Sequence, residues 1–393
     1  MTSTSTTAGR GGGPHTGFRP DVEGLRAVAI GLVLLFTAGV PLGRSGYAGV
    51  DVFFVISGYL ITGLLVRELE RSGTVSLAAF YARRARRILP SAYVVLLVVL
   101  GVTVVVAGPA GERAVAHDVL AAALQVANLW FLSFDVTTVA PAIAGSPVLH
   151  YWSLAVEEQF YVLWPLVVLL VARTAARRGR PVRRPLVVAI VVLSLLSGLL
   201  YLLWFRTAFQ ASYFASPARA WQLGAGALVA LLEPQLRRWA GRRGGRAVPG
   251  VLAGAGALAI AAVPLADRVG VFAAAAAATA GAAAVVAAGG LDGAPTAVAR
   301  FLSLRPVRFV GRLSYTWYLW HVPAVVVAEH LGARTWPVLL AAELLAAVPA
   351  LLTMRFVEGP LRGAPRLRSP RAGLLFGAAG AALVAVPALL VGA

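Results

Sequence analysis

The chain has 393 residues, 59% of them hydrophobic and only 13% charged, a balance that excludes a soluble globular domain and, with repeated apolar runs of about 20 residues, marks a polytopic membrane protein. The formal net charge is +19, yet all 35 basic residues are arginine and they cluster beside apolar runs, so membrane orientation explains them better than nucleic-acid binding. Cysteine is absent, which rules out disulfides and thiolate metal sites.

In chain order, residues 1–17 (MTSTSTTAGRGGGPHTG) are small, polar and glycine-rich, and are expected to be a disordered tail. The first apolar run has no convincing A-x-A exit and is only the first of many, so a cleaved signal peptide is not expected. That run, LRAVAIGLVLLFTAG over residues 25–39, places Arg26 at its start and one hydroxyl, Thr37, eleven positions on. A helix separates the two by about 16 Å, which puts Arg26 at one surface and Thr37 roughly half-way through a hydrocarbon layer of about 30 Å. The plain reading is a positive anchor with a hydroxyl bonded to its own backbone.

Further spans are expected near 50–66, 88–107, 153–172, 186–205, 213–232, 248–265, 270–290, 307–328, 336–356 and 372–392, after a first at 25–42. The segment 114–134 has a helical pattern but carries His117, Asp118, Gln125 and Asn128. If it does not cross, 29 arginines fall on one side and 6 on the other; if it does, the split is 13 and 22. The positive-inside rule selects the first arrangement: eleven spans, a cytoplasmic N-terminus, an outer C-terminus, and 114–134 re-entrant or along the outer face. The fold class is all-α, a polytopic transmembrane bundle of about ten core spans plus an eleventh. The Ala- and Gly-rich spans over 248–290 read as scaffold.

Ionisable residues within spans are costly and point to function. His321, in SYTWYLWHVP, lies nine residues beyond Arg312 and so about 13 Å deep, where a neutral imidazole can accept a proton. It can equally donate to a neighbouring helix carbonyl. Glu157 and Glu158 open the fourth span in HYWSLAVEEQFYVLWP, with Ser153 on the same helical face as Glu157. They suit either the helix dipole or the orientation of a base or a sugar hydroxyl. Asp51, at the start of the second span, and Arg219, in SPARAWQLGAGA, are outer-side charges that either meet an acceptor or merely sit at the interface. FYARRARRILP sets Arg83, Arg84, Arg86 and Arg87 beside a span, a cluster suited to phosphates, to anionic lipid headgroups or to fixing topology. Walker, HExxH and GxSxG patterns are missing, so phosphate-driven pumping and zinc hydrolysis gain no support, and no metal site is expected.

The stretches FRPDVEGLRAVAI, GYAGVDVFFVISGYLIT, FYARRARRILP, HYWSLAVEEQFYVLWP, SPARAWQLGAGALVALL, GRLSYTWYLWHVP and RFVEGPLR, in order from residue 18 to 363, together resemble the membrane acyltransferase 3 family. These are bacterial O-acyltransferases that modify surface polysaccharides, peptidoglycan or secreted small molecules. The resemblance implies an acyltransferase membrane domain over 18–363 in the bacterial inner membrane. It also implies acyl-CoA, usually acetyl-CoA, as a cytoplasmic co-substrate with no permanently bound cofactor, and a carbohydrate or small-molecule acceptor on the outer side. Arg83, Arg84, Arg86 and Arg87 would then contact the donor phosphates, with Arg26 beside them, and Asp51, His150, Glu158 and Arg219 would face the acceptor.

Arg26 also begins the family's pattern of an arginine, ten residues and a histidine, but Thr37 stands where that histidine belongs. A threonine hydroxyl does not accept a proton near neutral pH as imidazole does. Three outcomes follow: His321 serves as base, the protein is catalytically impaired and only binds or passes a glycan or lipid, or Thr37 relays the acyl group with help from His321. In this scheme Glu157 orients the base or the acceptor. Residues 364–393, a loop and the span 372–392, resemble the connector that leads in fused relatives to an outer hydrolase-like domain, here expected to be truncated, lost or separate.

Overall fold

The computed structural model describes residues 18–134, 145–242, 247–268, 270–291 and 293–393, and every regular element among them is helical. The expected tail over 1–17 lies outside the described residues. Each of the eleven expected runs overlaps a helix. The first, α1 (Pro20–Thr37), stops at Thr37, where Gly39 at φ +72° turns the chain, five residues short of the expected end of that run. Next come α2 (Gly49–Ser72) and α3 (Leu77–Val106). The arginine stretch FYARRARRILP is the first turns of α3 itself, begun by a Ser76 cap that accepts from the amide of Ala79.

The ambiguous segment is two short helices, α4 (Pro109–Ala123) and α5 (Ala127–Leu132), of 15 and 6 residues. Between them Gln125 takes φ +59°, and neither piece is long enough for a layer of about 30 Å. Its polar residues are used in packing. Asp118 accepts from Trp130 Nε1 at 2.7 Å, and buried Asn128 donates to the carbonyl of Phe214 at 3.1 Å.

The chain continues through α6 (Tyr151–Arg177), α7 (Arg183–Thr207), α8 (Phe209–Phe214), α9 (Ser216–Arg242), α10 (Ala247–Ala261), α11 (Val271–Gly289) and α12 (Ala297–Leu302). It ends with α13 (Arg305–His330), α14 (Trp336–Leu345), α15 (Ala347–Thr353), α16 (Gly359–Gly363) and α17 (Pro370–Gly392). A π-helical turn, Met354–Glu358, joins α15 to α16. Among the described residues eight helices are long and apolar enough to cross a membrane, so the chain is a multi-pass membrane protein. The helices α1, α9 and α13 fall outside that set, and they carry Arg26, Arg219 and His321 respectively. Arg219 and His321 are both buried within the bundle.

Close backbone approach fixes the helices that carry these groups. The helix α9 lies along α2, and a Cβ on Gly58 would overlap the carbonyl of Leu223, while one on Gly226 would overlap that of Val55. The outer faces are apolar: Val188, Leu195, Leu199 and Leu203 of α7 are exposed, as lipid requires.

Candidate functional site

Among the described residues, α1, α2, α3, α6, α13 and the π turn, with residues of α9, α11, α12 and α16, line a cavity of about 920 Å³, within the range of sites that hold a cofactor-sized molecule. Its wall on α2 runs from Val50 to Arg67, about 25 Å along the helix, most of a hydrocarbon layer.

Much of the lining is charged. Arg19, Arg26, Arg67, Arg84, Arg87, Arg237, Arg312 and Arg362 line the cavity against Asp21, Glu23, Glu157, Glu158, Glu233 and Glu358, eight cations to six carboxylates. The rim is held by ion pairs: Arg19–Asp21 at 2.7 Å, Arg237–Glu233 at 2.5 Å and Arg312–Glu23 at 3.3 Å. Deeper in, Arg87 stands within electrostatic reach of Arg26, Arg84 and Arg362, four like charges drawn from α1, α3 and α16. Glu358 of the π turn lies within electrostatic reach of Arg26, Arg87 and Arg362 and offsets part of that repulsion, and a bound anion would offset more. Arg84 is held over the Tyr161 ring at 4.3 Å.

The four arginines of the FYARRARRILP stretch therefore divide. Arg84 and Arg87, three apart on α3, face the cavity. Arg83 pairs instead with Glu68 at 3.3 Å, and Arg86 donates to the carbonyl of Leu367. Arg362 and Glu358 lie in RFVEGPLR, to which sequence reasoning gave no role; their i, i+4 spacing beside an apolar run was the available signal.

Further in, Ser57 of α2 donates its hydroxyl to Glu157 of α6, and Tyr161 donates to the same carboxylate oxygen. Glu158 lines the cavity beside them. The far end is formed by Val50, Phe53, Phe54, Ser153 and Tyr318, with Ser153 Oγ and Tyr318 Oη bonded at 2.7 Å. Neither Ser57 nor Tyr318 was singled out from sequence.

His321 sits one turn beyond Tyr318, 1% exposed, and is not part of the cavity wall. Its Nδ1 lies 2.5 Å from the carbonyl of Tyr318, so it carries the proton and Nε2 is the basic nitrogen. His150 packs against it with ring centroids 5.0 Å apart, and His150 Nε2 bonds the carbonyl of Leu319 at 3.1 Å. Thr37 also lies off the wall: its hydroxyl bonds the carbonyl of Val33 at 3.1 Å, the back-bonded arrangement of an ordinary helix threonine.

Asp51 and Arg219 are brought together. Arg219 Nη2 lies 2.6 Å from Asp51 Oδ1, Gln222 Nε2 donates to the same oxygen at 3.1 Å, and both charges are nearly inaccessible. The guanidinium is boxed by Phe54, Trp152, Tyr201 and Tyr213, each ring centroid within 5.8 Å. A pair so desolvated ties α2 to α9 and strongly disfavours loss of either partner.

An all-helical membrane bundle that holds an arginine-lined cavity with a carboxylate–serine contact at its centre is the class this architecture defines. The acyltransferase domain of the acyltransferase 3 family matches residues 19–355, and the chain belongs to that family. It is 29% identical over 368 residues to the peptidoglycan O-acetyltransferase OatA of Listeria monocytogenes, covering 87% of this chain and 56% of that protein. It is 31% identical over 356 residues to the O-acetyltransferase OatA of Staphylococcus aureus, covering 88% of this chain and 57% of that protein. The chain thus spans a little over half the length of these relatives. No solved structure matches it.

Proposed function

We propose that the chain is a membrane O-acyltransferase that takes an acyl group, acetyl in the simplest case, from acyl-CoA and passes it to a hydroxyl of a cell-envelope carbohydrate. The observation that carries this reading is the single cavity that sets Arg26, Arg84, Arg87 and Arg362 at one end and the Ser57–Glu157 contact about half-way along. The arginines meet the donor's phosphates by charge-assisted contacts, and the thioester then reaches Glu157. The relatives named as O-acetyltransferases and the family itself support the reaction class. The arginine distribution supports donor entry from the cytoplasmic side of the inner membrane, with the N-terminus on that side and the C-terminus outside.

The base for this reaction is Glu157, a carboxylate on the wall with its geometry set by two hydroxyls. His321, behind Tyr318, positions that tyrosine and His150. Asp51 and Arg219, a buried pair off the cavity wall, brace α2 against α9 behind Phe54, and Glu158 lines the cavity beside Glu157.

One observation favours the silent alternative: Thr37 replaces the family histidine and its hydroxyl is spent on Val33. The two readings separate on purified protein supplied with labelled acetyl-CoA and a peptidoglycan fragment. The enzyme reading expects wild type to transfer label and Thr37→His to change the rate little. Inert wild type with activity gained by Thr37→His would establish the silent reading instead.

A further inference from the structure

We propose that Ser57 is a nucleophile, and that the acyl group rests on it as an ester between donor and acceptor. The proposal builds on the reading of the cavity as an acyl-donor site. A lone hydroxyl in an apolar helix normally bonds the carbonyl one turn back, as Thr37 does with Val33. Ser57 instead donates across helices to a carboxylate 100 residues away, and it does so on the wall of the cavity. A hydroxyl held against a carboxylate is the arrangement that removes its proton as it attacks. The carboxylate is itself fixed by the hydroxyl of Tyr161, so the pair is preorganised.

Position on the helix gives the ester a purpose. Ser57 lies seven residues from Val50 and ten from Arg67, about 10 Å and 15 Å from the two ends of the α2 wall. A donor anchored by its phosphates at the arginine end can present its thioester at mid-length without its nucleotide leaving that end. Arg26 lines the same cavity within electrostatic reach of Glu157, where a guanidinium stabilises the oxyanion that forms on the attacked carbonyl. Phe53 and Phe54, on the preceding turn of α2, help to keep water from the ester.

In the first half, Ser57 Oγ attacks the thioester carbonyl carbon while its proton passes to Glu157. The C–S bond then breaks, Glu157 gives that proton to the departing thiolate, and the products are free CoA thiol and acyl-Ser57. In the second half, the acceptor hydroxyl attacks the ester carbonyl and yields its proton to Glu157. The C–Oγ bond breaks, Ser57 Oγ recovers the proton, and the acyl group leaves on the acceptor.

The test uses the full chain in lipid nanodiscs with labelled acetyl-CoA and no acceptor, followed by acid quench and peptide mass spectrometry. The expected result is one acetyl group on the peptide holding Ser57, with one CoA released per chain, and discharge of the label when acceptor is added. Ser57→Ala should keep acetyl-CoA binding but lose the label and lower transfer by about 10²–10⁴-fold, the usual reach of such activation. Should Ser57→Ala fail to fold, Ser57→Cys stands in: it should accumulate a thioester that hydroxylamine removes. CoA release with Ser57 unmodified in wild type would overturn the relay and leave the acyltransferase reading in place. Wild type that binds no acetyl-CoA would overturn both.

Discussion

Changing Arg84 and Arg87 together to glutamine is expected to weaken acetyl-CoA binding by at least about 100-fold, whereas changing Arg83 and Arg86 together leaves affinity near that of wild type. The contrast follows from where the four side chains point. Arg84 and Arg87 line the cavity beside Arg26 and Arg362, while Arg83 is engaged with Glu68 and Arg86 with the carbonyl of Leu367. A hydrogen bond to a charged group contributes about 1.5–3 kcal/mol, so losing two costs about 3–6 kcal/mol and at least about 100-fold in affinity. Isothermal titration or microscale thermophoresis in detergent reads the difference, and thermal unfolding without ligand confirms that both variants are folded. Equal losses for the two pairs would return the cluster to a general electrostatic or topological role.

The second large effect concerns the base. Glu157→Gln keeps the size and shape of the side chain but cannot take a proton, and it is expected to lower kcat by about 10²–10⁴-fold with little change in KM for acetyl-CoA. His321→Ala should cost far less in kcat, because His321 is 1% exposed and bonds the carbonyl of Tyr318 from behind the wall. Steady-state kinetics of both variants decides the assignment. A collapse of kcat in His321→Ala with Glu157→Gln nearly unaffected would reverse the roles given to the two residues.

Sequence alone disclosed the architecture well, because lipid imposes a strong rule: long apolar runs must be helices that satisfy their own backbones. It disclosed less well where charge and hydroxyl groups point. Thr37 and Ser57 look alike on paper, each a hydroxyl in an apolar run, and the sequence drew attention to Thr37. In the folded chain Thr37 turns back on Val33, while Ser57 reaches Glu157 on another helix. The difference arises from the pairing of α2 with α6, which no local pattern encodes. The four arginines of α3 looked equivalent for the same reason, until helical phase set two toward the cavity and two away. Asp51 and Arg219, flagged separately as surface charges, are a buried pair because α9 lies along α2, an approach that Gly58 and Gly226 permit. The polar residues of 114–134 are used in packing by two short helices, which removes the need for a crossing there.

The central claim is that an acyl group enters at the arginine end and is delivered toward the opposite face. Its most direct test is sidedness in sealed vesicles of known protein orientation, with labelled acetyl-CoA on one side and a peptidoglycan fragment on the other. The account predicts transfer only when acetyl-CoA is on the face bearing Arg67 to Arg87 and the acceptor is opposite. Transfer that requires both reactants on the same face, or donor on the other face, would contradict it.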